Sequence, residues 1–193
     1  GFTASHPQIK LSMTSDALDI LVKQLNDGLT DLAFVTHVDK NYLIGLESKT
    51  IMKSPLIAVM HPTHALANRD SLSIKDLSGF PMINFSPQAN PITSDFNKQI
   101  FKKAGAQLNI VREIPNIETA AFCASINEGV FIMPEYLLSS IGSLRTVPLT
   151  DSFAYVTLNL IWKKKNPNIS IPVFVDSFST YIQNRNPNLA PAD

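Results

Sequence analysis

Twice along this chain a short strand-like run, an amphipathic helix and a glycine stop are followed by a second strand-like run, and that order restricts the fold more than any single motif. In the first block Ile9–Met13 (IKLSM) alternates apolar and polar residues, the period of a strand. Ser15 or Asp16 then caps a helix whose Leu18, Leu21, Val22 and Leu25 share one face, and Gly28 follows as a stop able to take positive φ. Asp31–Thr36 (DLAFVT) is an apolar run between turn signals, the pattern of a buried strand. Strand, helix and strand in so few residues predict a βαβ unit and a parallel sheet. The second block runs from Met82–Phe85 through the turn-forming SPQANP to a helix capped by Ser94 or Thr93. That helix carries Phe96, Ile100, Phe101 and Ala104 on one side, stops at Gly105, and leads to the strand-like Leu108–Ile114.

Other elements fill the spaces around these blocks. Tyr42–Met52 and Pro55–His61 read as two strands, and Ser73 and Gly79 bracket a single helical turn. Pro115–Leu138 (PNIETAAFCASINEGVFIMPEYLL) reads as a helix and a strand, with a polar opening for so apolar a segment. Tyr155–Trp162 is rich in β-branched and aromatic residues and predicts a long strand. A last helix places Ile171, Phe174, Val175, Phe178, Tyr181 and Ile182 on one broad face, with Pro172 in its first turn, before the tail NPNLAPAD, which is expected to fray. Two βαβ-like blocks joined by few residues imply two lobes in an α/β architecture.

Composition narrows the function. Lys and Arg number 16 against 16 Asp and Glu, so these residues lack the basic excess with which a free-standing nucleic-acid binder neutralises phosphates. The balance favours a neutral or small-molecule partner. The one cysteine, Cys123, reads as a buried small hydrophobe; with no intrachain disulfide possible, the chain suits a reducing cytosol. No apolar run approaches the ~18 residues that span a bilayer. The opening GFTASHPQ has no basic region followed by an apolar stretch, so no membrane attachment and no export signal are expected, although a mature exported protein would look the same.

Catalytic signatures are missing: there is no G-x-S-x-G elbow, phosphate-binding glycine pattern, C-x-x-C pair or H-E-x-x-H motif, and no enzyme, cofactor or metal is expected. His61 and His64 stand three apart, but Pro62 makes the segment a loop and no third ligand is evident. Asp16 and Asp19 at a helix start suit the macrodipole better than paired-carboxylate catalysis, and Lys163–Lys165 reads as a solvated strand end. The remaining candidates are polar residues where apolar strands stop: Thr36 and His37, Asn84 and Ser86, and Asn116 to Thr119. In open parallel sheets ligands bind outside the carboxyl ends of strands, where helix N-termini also point. Asn116 is therefore either a helix cap alone or part of a seat for a small anion with Thr119.

The order of short motifs resembles the effector-binding domain of LysR-type transcriptional regulators over most of the chain. The residues that carry the resemblance are His6–Leu11 (HPQIKL), Leu25–Val35 (LNDGLTDLAFV), His64–Ala67 (HALA), Ser73–Phe85 (SIKDLSGFPMINF), Glu128–Leu138 (EGVFIMPEYLL) and Leu158–Lys164 (LNLIWKK). The resemblance implies a two-lobed fold like type 2 periplasmic binding proteins, with an effector in a cleft between the lobes. It sets the crossing strands near Val59–Pro62 and Val156–Leu160, one lobe at 1–62 plus 158–193, and the other at 63–157.

It also implies effector contacts at Ser86, with Asn84 nearby, and at Thr119, whose hydroxyls suit a carboxylate or similar anion; Thr36 and Asn116 complete the candidate set. Glu118 would then point to solvent, or the effector would not be a simple anion. Where the family has paired glycines before an apolar strand this sequence has Asn127 and Gly129, and Asn127 is expected to take positive φ. The resemblance further implies a cytoplasmic homo-oligomer, dimer or tetramer, that reaches DNA only through an N-terminal winged helix-turn-helix outside these residues. By the same comparison an opening strand, and a polar helix start with further effector contacts, would also lie outside them. A solute-binding protein of a transport system is the alternative on the same fold.

Overall fold

The computed structural model describes residues 2–14, 16, 18–36 and 43–185. His37, Tyr42, the Ser15 cap and the NPNLAPAD tail lie outside the described residues. The chain divides into two compact units, residues 1–53 with 157–193 and residues 54–156. It passes from one to the other within two strands.

The first unit opens with α1 (Phe2–Ser5) and α2 (Leu18–Asp27), followed by β1 (Leu32–Thr36). The helix face read from the sequence holds: Leu25 is fully buried, with Leu18, Leu21 and Val22 packed around it, and Gly28 takes a φ of 72°. β1 runs antiparallel to β7 (Tyr155–Lys163), with Leu32 opposite Trp162 and Thr36 opposite Leu158. Both faces of this sheet are covered. Ala33, Val35 and Ile161 pack with α2, while Leu32, Leu160 and Trp162 pack with Ile171 and Val175 of α5 (Ser170–Arg185). An apolar run without alternation is what two covered faces require.

One expectation fails here. Ile9–Met13 forms no strand, and β1 has no parallel partner among the described residues. The backbone of Lys10–Thr14 has no hydrogen-bond partner among the described residues. A period-two pattern marks a segment that can pair, but a strand exists only where a neighbour accepts and donates.

The second correction concerns β2 (Leu46–Met60), one strand of 15 residues where two were expected, split near Pro55. Pro55 is exposed, and the ladder beyond it begins at Leu56, so the missing N–H interrupts no required bond. Leu56–Val59 pairs antiparallel with β5 (Phe131–Pro134), and Ile57–Met60 pairs antiparallel with β6 (Arg145–Pro148). The passage between units falls at Lys53 and Ser54, earlier than the expected Val59–Pro62, because this doubly paired stretch belongs wholly to the second unit.

In that second unit β3 (Pro81–Phe85) and β4 (Asn109–Ile114) form a parallel pair joined through α3 (Pro91–Lys103), as the second block predicts. α4 (Ile117–Ser125) follows β4 and leads into β5. Alternate residues of the strands enter separate cores. Leu56, Ala58, Met60, Met82 and Ile132 pack with Ile100 and Phe101 of α3, while Ile57, Val59, Ile83, Phe131 and Met133 pack with Ala120 and Cys123 of α4. The expectation for Asn127 is met, and Gly129 shows a close approach that was not foreseen. Asn127 has a φ of 59°, and a Cβ on Gly129 would lie 2.7 Å from the Pro81 carbonyl oxygen, so only glycine lets this turn reach β3. Val130 N–H then donates to Pro81 O at 2.9 Å, and Ile83 N–H to Val130 O at 2.8 Å.

Candidate functional site

The parallel register of β3 and β4 sets Phe85 opposite Ile114, so the two strands finish at the same level. Beyond that level Ser86 N–H donates to Ile114 O at 2.9 Å, tying the two exits together. Each exit turns at once into a helix with an asparagine cap. Asn90 Oδ1 accepts from Thr93 N–H at 3.0 Å at the head of α3, and Asn116 Oδ1 accepts from Thr119 N–H at 2.9 Å at the head of α4. Two capped helix N-termini beside the carboxyl ends of two parallel strands make a place where partial positive charge and free N–H groups collect. Ile117 N–H and Glu118 N–H, in the first turn of α4, are left unclaimed by the cap.

Four of the five candidate residues lie in this one unit and on this end of it. Ser86 is half-buried; its Oγ accepts from Ala89 N–H at 3.1 Å, so its own proton remains available to donate. Thr119 is half-buried too, but its hydroxyl already donates to Asn116 Oδ1 at 2.8 Å. Asn116 is the cap, with its side-chain oxygen shared between the Thr119 amide and hydroxyl. Glu118 is exposed. Thr36 ends β1 in the first unit, half-buried opposite Leu158.

Asn84 has a different environment from the others. It is 2% exposed, on the face of β3 that meets α3, where its Oδ1 accepts from Asn97 Nδ2 at 2.8 Å and its Nδ2 reaches Ser94 Oγ at 3.5 Å. Ser94 is not a cap, as expected from sequence, but a fully buried residue of the helix interior; the cap is Asn90, with Pro91 in the first helical position. The signal for this was the Asn-Pro dipeptide, since proline suits a first turn whose N–H has no partner. The buried amide pair went unseen because Asn97 falls on the inward face of α3, between Ser94 and Ile100, at a spacing that reads as a gap in the apolar stripe.

Other reactive groups are committed elsewhere. Arg112 Nε donates to Glu128 Oε1 at 2.8 Å, and the guanidinium Nη2 joins the same oxygen. Arg112 and the Cys123 thiol hold the Glu128 carboxyl below its ordinary range. Burial, and then Glu128, push the Cys123 thiol up, the wrong direction for a nucleophile. His61 Nδ1 is bonded to Thr63 Oγ1 at 2.8 Å, and His64 Nδ1 accepts from Leu66 N–H at 3.3 Å, so both histidines serve turns. No group of three or more His, Cys, Asp or Glu able to hold a metal occurs among the described residues. No helix among them is long and apolar enough to cross a membrane.

The family description "LysR substrate binding domain" matches residues 1–181. The HTH-type transcriptional regulator YwbI of Bacillus subtilis is 24% identical over 165 residues, covering 84% of this chain and 54% of that protein. The chain thus spans about half the length of the curated relatives it matches. Among solved structures, the BenM effector-binding domain with its effector benzoate superposes with a TM-score of 0.85 at 17% identity, covering 98% of this chain and 86% of that one. The effector-binding domain of QuiR in complex with shikimate gives a TM-score of 0.78 at 22% identity, covering 95% of this chain and 87% of that one.

Proposed function

Because this chain belongs to the LysR substrate-binding domain family, with the α/β fold of its effector-binding domains in the type 2 periplasmic-binding-protein class, we propose that it senses a small carboxylate for a DNA-binding transcriptional regulator. The observation that carries the site is the paired exit of β3 and β4 into two asparagine-capped helices, with Ser86 bridging them. Benzoate and shikimate, bound by BenM and QuiR, both bear a carboxylate. Ser86 Oγ–H and the free amides at the head of α4 donate to that group, and Thr119 turns its hydroxyl from Asn116 to the ligand. Asn116 contributes as the cap that orients the first turn. Asn84 acts through Asn97 and Ser94, holding the start of α3, and does not touch the effector. Thr36 is carried as a contact by the family resemblance alone. Glu118 faces away from the carboxylate, since a second negative charge close by would oppose binding.

The protein catalyses no reaction in this reading and uses no cofactor. Binding energy is spent on a conformational equilibrium, so the effector must prefer one of two states of the full regulator. DNA contact belongs to a helix-turn-helix outside these residues, in a cytoplasmic homo-oligomer of dimeric or tetrameric state. The relatives that match are transcriptional regulators, which disfavours the transport alternative.

Calorimetric titration with benzoate and with shikimate tests the site. If either binds, Ser86→Ala weakens it about tenfold, the worth of one charge-assisted hydrogen bond. Thr119→Ala weakens it less, because that hydroxyl must first leave Asn116. Affinity unchanged in both variants removes these residues from the site. Binding lost in Asn84→Ala with the Asn97–Ser94 packing intact by crystallography would make Asn84 a contact instead.

A further inference from the structure

Three polar side chains lie inside the apolar core between β3 and α3: Asn84 is 2% exposed, Ser94 0% and Asn97 5%. Met82, Ile100 and Phe101 of the same two elements are buried and apolar. Asn97 Nδ2 donates to Asn84 Oδ1 at 2.8 Å, and Asn84 Nδ2 reaches Ser94 Oγ at 3.5 Å. Nothing in the folding of this core calls for them. A satisfied buried amide pair adds little net stability, and an apolar pair of similar size would fill the same space. What amides supply and apolar groups do not is direction. A hydrogen bond fixes the distance and angle at which α3 lies on β3, whereas apolar contacts tolerate sliding.

Direction matters here because of what joins the two elements. Between Asn84 and Ser94 the chain carries Ser86, and its turns are closed by a series of bonds. Ser86 O and Oγ accept from Ala89 N–H at 3.2 and 3.1 Å, and Ser86 O accepts from Asn90 N–H at 2.9 Å. Asn90 Oδ1 then accepts from Thr93 N–H at 3.0 Å, and Asn90 O accepts from Ser94 N–H at 3.0 Å. From Ser94 and Asn97 the series returns to Asn84, two residues before Ser86. The loop is thus a closed ring of hydrogen bonds, and the buried amide pair is the link that shuts it. We propose that Asn97 is a positioning residue of the effector site: through Asn84 it holds the Ser86–Asn90 loop in its binding geometry before the effector arrives. This rests on the reading of Ser86 as a donor to a carboxylate. A loop ordered in advance spares the ligand the entropy of ordering it, so the pair serves affinity rather than folding.

The test separates those two roles in the 193-residue protein. Asn97→Ala leaves the Asn84 amide buried without its partner and lowers Tm by about 3–8 °C. Asn84→Val/Asn97→Ala removes both amides, with a strand former in β3 and a helix former in α3, and brings Tm back to within about 3 °C of wild type. In that double variant hydrogen exchange of the Ala89, Asn90 and Thr93 amides, followed by NMR, quickens about tenfold, while exchange of Ile83 and Val130 in the same unit is unchanged. The loosened loop weakens benzoate or shikimate, whichever binds wild type, by about tenfold. Unchanged exchange at the three loop amides overturns the proposal. So does exchange that quickens equally at Ile83 and Val130, or a double variant that does not fold or melts as low as Asn97→Ala, because each makes the pair a part of the fold alone. Affinity that falls in Ser86→Ala but not in the double variant also overturns it and leaves the site reading intact. Affinity unchanged in both, with loop exchange quickened, overturns the site reading and keeps Asn97 as the clamp on the loop.

Discussion

In the second unit β2 is paired on both sides over Ile57–Val59 and both of its faces are filled; in the first, β1 is covered on both faces but bonded along one side among the described residues. The two regions share the same ingredients of helix, glycine stop and apolar strand. They differ in whether each strand found its neighbour. A strand's side chains can be buried by helices above and below it, while its backbone is satisfied only in the plane of the sheet, so face burial and edge pairing are separate requirements. β2 meets both over Ile57–Val59, and β3 of the candidate site is tied to β4 on one side and to Val130 on the other.

Truncating one aromatic in each region separates these requirements most sharply. Phe131 is 1% exposed at the centre of the second unit, and Phe131→Ala should cost about 3–5 kcal/mol in urea unfolding. Phe34 is 40% exposed at the open edge, against the rings of Phe174 and Phe178, and Phe34→Ala should cost about 1–2 kcal/mol. Equal costs would mean that the edge of β1 is as well packed as the core of the second unit, and the contrast would fail.

A smaller effect tests how tightly the second unit closes. Gly129→Ala sets a methyl group against the Pro81 carbonyl, an approach of 2.7 Å to backbone that cannot swing aside. The turn must retreat, and the bonds between Val130 and β3 stretch with it. A loss of about 1–3 kcal/mol is expected, the usual range for overpacking. Gly28→Ala, in the first unit, meets no atom within 4 Å and is disfavoured only by its φ of 72°, so its cost should be lower, about 1 kcal/mol. The order of these two losses matters more than their size.

These differences also explain what could be read before the structure. Asn116 as a cap, Asn127 with positive φ, the α2 face and the parallel β3–α3–β4 unit were legible because each depends on a handful of neighbouring residues. The strand expected at Ile9–Met13 was not, because pairing depends on what lies beside it in space. The split expected at Pro55 failed for the opposite reason: a residue that should break a strand sits where the ladder has no need of its N–H. Ser86 and Thr119 entered as site candidates through the family resemblance. The buried Asn84, Asn97 and Ser94 group was hidden, since polar residues thirteen or ten positions apart announce nothing until a helix is laid across a strand. The commitment of Thr119 to Asn116 was hidden too, because a hydroxyl's partner is a matter of rotamer.

The smallest expected effect concerns acid. Glu128 is joined to Arg112 and Asp76 to the Ser73 hydroxyl and amide, and these partners hold both carboxyls below their ordinary values of 4.5 and 3.8. A carboxyl whose folded value is depressed adds stability above its unfolded value, and that contribution disappears as pH falls through the folded one. Both groups lie in the second unit, so its unfolding free energy should decline from about pH 5 downward, and Arg112→Gln should flatten the Glu128 share of that decline: the variant is slightly less stable at pH 7, and the difference from wild type disappears toward about pH 2. The loss at pH 7 is small because the pair is solvated and contributes little net energy. Urea unfolding of wild type and Arg112→Gln followed by circular dichroism at several pH values between about 2 and 7 checks the sign. A difference that grows as the pH falls would mean that Arg112 does not act on the folded state through the Glu128 carboxylate.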